Sequence, residues 1–333
     1  MAIERVKLVQ SISLTTTDPR PMKHKKLVIA FVVIDLLLLT VYLGGSWYFS
    51  SVLITFSRAT LAEDAALSED PVALGLSPPE EVSIAAGDVT LAGWYFDNPD
   101  AGNCGVLLLH GRSSTRYGML RFAPLFWDHG CDLLLYDARY HGNSTGQYGT
   151  YGYYESDDAL AALDWFTQRT GLPRAQVGLM GTSYGAATAL LAAAKAPDIA
   201  FVAADSSYRD MKTIVTEQGV QQYGGFVRLF IPGAFAVAGL RAHFDPYAVS
   251  PMLAAAQIRV PAFLLHSLQD TYTLPAHSQD IYDHLGETRK VLYLTDWGAS
   301  HSASVTTNLA GYQAYMDDFL AAYVPQFPPV HGK

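Results

Sequence analysis

Val177-Gly178-Leu179-Met180-Gly181-Thr182-Ser183-Tyr184-Gly185-Ala186-Ala187-Thr188-Ala189-Leu190-Leu191 is the stretch on which the reading of this chain turns. The first four residues are short and apolar, as a buried strand requires, and the run from Ala186 is built of small helix formers. Ser183 then falls on the sharp turn between strand and helix, the context of a nucleophile elbow. The glycines at 181 and 185 fit that turn, because a side chain at either would collide with neighbouring backbone. The five-residue pattern is weak by itself; what flanks it carries the argument.

A serine hydroxyl is a poor nucleophile at neutral pH and needs a base within hydrogen-bond reach and a carboxylate to orient that base. Val260-Pro261-Ala262-Phe263-Leu264-Leu265-His266 reads as a buried strand with Asp270 in the loop beyond its carboxyl end. Val291-Leu292-Tyr293-Leu294 reads as the next strand, followed by Gly298-Ala299-Ser300-His301. Loops at the carboxyl ends of parallel strands converge, so Ser183, Asp270 as acid and His301 as base form the candidate constellation. Asp205, after the preceding strand, is the alternative acid, and His277, on an expected helix, the rival base. His110 and His266 end strands and are expected to hold loops. Leu107-Leu108-Leu109-His110-Gly111-Arg112 is a further strand whose loop would offer the backbone N–H of Arg112 to a developing oxyanion, with the N–H of Tyr184 as the second donor.

Short apolar runs at 105, 132, 177 and 201 alternate with helical segments, which argues a parallel sheet covered by helices on both faces. Together with Leu108-Leu109-His110-Gly111, Tyr136-Asp137-Ala138-Arg139-Tyr140-His141-Gly142-Asn143-Ser144, the elbow, and the segments ending in Asp270 and His301, the chain resembles the α/β-hydrolase superfamily over roughly residues 80–325. Within it the chain is most similar to membrane-anchored hydrolases related to serine aminopeptidases and acyl-protein thioesterases. The resemblance implies a mostly parallel eight-stranded sheet, a helical cap at about 209–258, and a catalytic triad of Ser183, Asp270 and His301. Departures at Ser267, Ser300 and Tyr140-His141 bear on loop shape and substrate preference. In that fold the strands following Cys104 and Cys131 are neighbours, and each cysteine lies six residues before a strand-end landmark, His110 or Asp137. A disulfide and two buried free thiols are both compatible with this placement.

Residues 27–49 form a nearly unbroken apolar run, long enough to span a bilayer. Asp35 opposes insertion by about 2.5–3.5 kcal/mol, while each Leu, Ile, Val or Phe favours it by about 0.3–0.6 kcal/mol, so insertion wins. Residues 1–26, with six Lys/Arg against two Asp/Glu, would be a cytoplasmic tail. Residues 50–80 would be a linker, and residues 81–325 an extracytoplasmic hydrolase domain. A signal peptide cut near 59–62, yielding a secreted protein, is the alternative, although such peptides have shorter apolar cores. Asp35 reads as one tolerated acid or as an intramembrane functional group. The apolar part of the cap, residues 226–240, reads as a lid with Phe230 and Phe235 or as a helix packed on the sheet, and the tyrosines between 136 and 154 as a pocket mouth or as cover for core edges.

The chain carries 22 Lys+Arg against 31 Asp+Glu, a net charge of −9. Such a balance argues against nucleic acid as a partner, because that affinity rests on clustered cations. No H-E-x-x-H or close Cys/His cluster points to a metal, and no cofactor is expected. The expected activity is hydrolysis of an ester or thioester, possibly an amide, through an acyl-enzyme, with a small-molecule or lipid-like acyl substrate. Within the same fold the alternatives are an aminopeptidase-like enzyme and a non-catalytic binding protein; a membrane scaffold is a third.

Overall fold

The computed structural model describes residues 20–100 and 103–327, with side chains from His24 onward. Eight strands form one sheet: β1 (Glu80–Ala86), β2 (Val89–Phe96), β3 (Gly105–Leu109), β4 (Asp132–Tyr136), β5 (Val177–Thr182), β6 (Phe201–Asp205), β7 (Ala262–Ser267) and β8 (Lys290–Thr295). Their order is β1-β2-β4-β3-β5-β6-β7-β8. The β1–β2 hairpin turns at Gly87 and β2 runs antiparallel to β4, whereas every pairing from β4 to β8 is parallel. Burial explains the difference in sequence character. The edge strand β1 alternates exposed and buried residues, while β3, β5, β6 and β7 are buried along their whole length and read as continuous apolar runs.

Successive side chains of each strand feed opposite layers. Leu107 and Leu109 join a core with helices Glu155–Thr170 and Tyr184–Ala193, whereas Val106 and Leu108 join a second core with residues 116–127 and helix Leu309–Tyr323. A disulfide links Cys104 to Cys131, with Cα atoms 4.6 Å apart. The register puts Gly105 opposite Asp132, and the Asp132 N–H donates to the Cys104 carbonyl at 3.0 Å, so the cysteines stand side by side where two parallel strands begin. Of the two states compatible with the sequence, the structure has the bond.

The chain divides into two units, Met1–Gly45 and Ser46–Lys333. The described part of the first is helical, and its apolar side chains are exposed, Leu38 at 63%. One helix among the described residues, His24–Ile54, is long and apolar enough to cross a membrane. Residues 1–19 of the expected cytoplasmic tail lie outside the described residues.

The helix that carries the apolar run at 27–49 extends beyond it, and residues 50–80 have structure of their own. The helix runs on to Ile54, because Val52-Leu53-Ile54 extends the apolar run and Leu53 and Ile54 are buried in the second unit. Arg112 donates through Nη2 to the Val52 carbonyl (2.9 Å), and Arg241 donates through Nη1 to Ser50 Oγ (2.8 Å) and Ser51 Oγ (2.7 Å). Farther on, helix Leu61–Ala65 is closed by a capping box of Thr60 and Glu63, and Asp64 accepts from Ser114 Oγ, Thr115 N and Thr115 Oγ1.

The cap consists of helices Met211–Tyr223 and Ile231–Ala242 around the 3₁₀ turn Gly225–Leu229. Its aromatic residues divide. Phe235 is fully buried against Tyr247, which identifies it as core, while Phe230 packs on Phe49 and Phe226.

Candidate active site

β5 delivers Ser183 to the sheet's carboxyl edge in a left-handed backbone conformation, φ 54° and ψ −113°. A non-glycine residue there is strained, at a cost of about 1–3 kcal/mol. The two flanking glycines make the turn possible: a Cβ on Gly181 would overlap the Gly185 carbonyl, and one on Gly185 would overlap the Leu109 carbonyl. The Ser183 N–H donates to the Asp205 carbonyl at 2.8 Å, tying the elbow to β6.

His301, in the loop after β8, brings Nε2 to 2.8 Å from Ser183 Oγ and Nδ1 to 2.6 Å from Asp270 Oδ2. An ionised carboxylate only accepts, so Nδ1–H is the donor and Nε2 receives the serine O–H. Asp270 is fully buried and accepts four hydrogen bonds: from His301 Nδ1, from His266 Nε2 (3.1 Å), and at Oδ1 from the backbone N–H groups of Tyr272 and Thr273 (2.9 Å each). Burial alone would raise its pKa; the bonds from His266 and His301, the charge of His301 and the Thr273 amide outweigh it and hold the carboxyl well below its ordinary value. Tyr272 lays its ring 4.9 Å from the imidazole.

The alternatives in the sequence fall elsewhere. Asp205 is buried at the end of β6 with Oδ1 accepting from Ser206 Oγ (2.6 Å), not from His301, and burial pushes its carboxyl up. His277 lies on helix Ala276–His284, accepts from Arg209 N and donates to Glu217. His110 donates through Nδ1 to the Gly111 carbonyl and accepts from Ala138 N, holding two loops together. His266 also bonds Ser278 Oγ and the Thr273 carbonyl. Its bond to Asp270 goes beyond the loop support expected of a strand-end histidine, and the i, i+4 spacing of the two residues is its signal in the sequence.

Among the described residues neither the Arg112 N–H nor the Tyr184 N–H has a hydrogen-bond acceptor. Ser183 and His301 open onto a cavity of about 370 Å³ lined by Gly111, Arg112, Ser113, Ser114, Gly118, Arg121, Thr182, Tyr272 and Ser302 as well. No tyrosine between 136 and 154 lines it; Tyr151 is buried in the cluster beneath the cap. Among the described residues no group of three or more His, Cys, Asp or Glu is placed to hold a metal ion.

Residues 56–230 match the family model described as X-Pro dipeptidyl-peptidase (S15 family). The uncharacterized protein YqkD of Bacillus subtilis is 30% identical over 236 residues, 69% of this chain and 75% of that protein. Among solved structures, the Pyrococcus furiosus esterase Pf2001 superposes with a TM-score of 0.65 at 22% identity, covering 80% of this chain and 98% of the esterase. An acylaminoacyl peptidase of Pyrococcus horikoshii does so with a TM-score of 0.57 at 16% identity, covering 75% of this chain and 42% of the peptidase. The fold is therefore that of an α/β-hydrolase, and the chain belongs to the S15 family of X-Pro dipeptidyl-peptidases.

Proposed function

We propose that this hydrolase is a serine esterase or thioesterase acting through an acyl-enzyme, with Ser183 as nucleophile, His301 as general base and acid, and Asp270 as the orienting carboxylate. The observation that carries the proposal is the continuous hydrogen-bonded line from Ser183 Oγ through the imidazole to Asp270. Ser183 Oγ attacks the substrate carbonyl as its proton passes to His301 Nε2. The tetrahedral adduct then collapses, the C–O or C–S bond breaks, and that proton leaves with the alcohol or thiol. Water, deprotonated by His301, attacks the acyl carbon and returns Ser183 with release of the carboxylic acid. The amides of Arg112 and Tyr184 are the donors for the developing oxyanion; losing one such donor costs about two to three orders of magnitude in rate.

An ester is favoured over a peptide with a free amino terminus by the cavity wall, none of whose lining residues is Asp or Glu. A substrate ammonium group would have no fixed counter-charge there. We place the enzyme at a membrane through helix His24–Ile54, with its amino terminus in the cytoplasm and the catalytic unit outside. The Cys104–Cys131 bond supports an oxidising compartment. Cleavage near residue 60 would remove the buried Leu53, Ile54 and Phe56, which favours retention of the anchor.

The experiment is active-site labelling of the full chain in detergent with a fluorophosphonate probe. The wild type reacts covalently and Ser183→Ala does not; a Ser183→Ala chain that still labels refutes the assignment.

A further inference from the structure

Arg121 stands in the turn Arg116–Phe122, on a wall shared by the catalytic cavity and an adjoining cavity of about 500 Å³. Among the described residues its guanidinium makes no hydrogen bond and no ion pair, and its Nε is buried without a partner. The other arginine of the wall is committed: Arg112 bonds the Val52 carbonyl and lies 4.1 Å over the Phe56 ring. Among the described residues no nearby carboxylate bonds Arg121, although Asp205, whose Oδ2 has no hydrogen-bond partner, and Asp64 act on its charge through space. Asp64 is taken up by Ser114 and Thr115, and Asp205 bonds Ser206. Two further donors on the same wall, Thr182 Oγ1 and Ser302 Oγ, are also buried and unpartnered among the described residues.

A partly buried cation that no carboxylate bonds is costly; desolvation pushes the half-buried Arg121 guanidinium below its ordinary value, and the charges of Asp205 and Asp64 offset only part of this. Such unmet demands collect where a ligand supplies the missing partner. The cavity wall holds two arginines and no carboxylate, although the whole chain is acidic at −9. A planar guanidinium fork matches a carboxylate with two parallel hydrogen bonds.

We propose that Arg121 is a specificity-determining residue that binds a carboxylate carried by the ester substrate. The inference rests on the hydrolase reading of the same cavity and adds the charge class of the substrate.

The test compares charged and neutral esters of equal size on the full chain in detergent. The acyl arm uses 4-nitrophenyl hemiglutarate against 4-nitrophenyl methyl glutarate, and the leaving-group arm uses 3-acetoxybenzoate against its methyl ester. The wild type is expected to prefer the charged ester in one arm, which also reports the side on which the carboxylate lies. Arg121→Gln is expected to lower the charged-to-neutral ratio of kcat/KM by about ten- to a hundredfold, mostly through KM, with Arg121→Lys recovering part of it. A wild type without preference in either arm, or an Arg121→Gln ratio equal to the wild type's, overturns the inference.

Should Arg121→Gln not fold, the wild type decides alone. Glutarate is expected to slow fluorophosphonate labelling of Ser183 where neutral glutaramide does not, and equal effects overturn the inference. Wild-type labelling and turnover of the neutral esters report separately on the hydrolase reading. If those two fail, that reading falls and takes this one with it; if they hold while the ratio is unmoved, only the role of Arg121 is lost.

Discussion

The adjacent strands β6 and β7 each lead to a buried aspartate at the carboxyl edge of the sheet, and the two sites differ in almost everything but depth. Asp205, on β6, has one side-chain partner, Ser206 Oγ, and its carboxyl is pushed up by burial. Asp270, beyond β7, accepts from two imidazoles and two backbone amides and is held well below the ordinary value. Depth therefore does not decide the charge of a carboxyl; the number of donors aimed at it does. A loop supplies what a strand cannot, because residues 270–273 turn back and present two amides to one oxygen, whereas the amides of β6 are spent on the sheet ladder.

The largest test of this contrast is Asp270→Asn. The amide leaves shape and volume nearly intact but presents a donor where a permanent acceptor is needed, which favours the wrong imidazole tautomer. Turnover of an activated ester is expected to fall about 10⁴-fold with little change in KM. Activity within tenfold of wild type would remove Asp270 from the role proposed for it. A smaller effect is expected for His266→Leu, which deletes one of the four donors to Asp270 while leaving the Ser183–His301 contact. The loss, about tenfold in kcat, corresponds to one hydrogen bond to a charged group at 1.5 kcal/mol or so. Because His266 acts by positioning, the acid limb of the pH–rate profile should also move; a lowered rate with an unmoved profile would mark a packing residue only.

The meeting of Ser183, Asp270 and His301 is legible in the sequence because each follows a short apolar strand, and parallel strands bring their carboxyl ends to one edge. The glycines at 181 and 185 are legible for the same local reason. Other features are set by space rather than by order along the chain. Val52, Leu53 and Ile54 continue an apolar run that, by composition alone, fits lipid as well as protein; burial distinguishes them from exposed Leu38. Arg121 is an ordinary arginine in an apolar stretch; its guanidinium lies 5.2 Å over the Phe122 ring, and what sets it apart is that among the described residues it has no hydrogen bond or ion pair, which no spacing encodes. The Cys104–Cys131 bond lies between these cases, since the equal offsets suggest proximity but the register of β3 on β4 is what creates it.

The smallest expected effect is the most direct comparison of the two carboxyls, because it reads both on one scale. Asp205 has a raised pKa in the folded chain, so the folded state binds its proton more tightly than the unfolded state does. Stability then falls as pH rises above the ordinary aspartate value of 3.8 and through the folded value. Asp270 has a lowered pKa, so its contribution is full above 3.8 and is lost as pH falls through the folded value. Melting temperatures of wild type, Asp205→Asn and Asp270→Asn measured as pH rises from about 3 should therefore diverge with opposite signs. Asp205→Asn gains on the wild type, reaching about 1–3 kcal/mol, the cost of a buried polar group short of partners, and retains near-normal turnover. Asp270→Asn loses ground over the same range. Difference curves bending the same way would mean that the neighbouring imidazoles, His266 and His301, compensate Asp205 as fully as Asp270, and the contrast between the two strand ends would then lie in position alone.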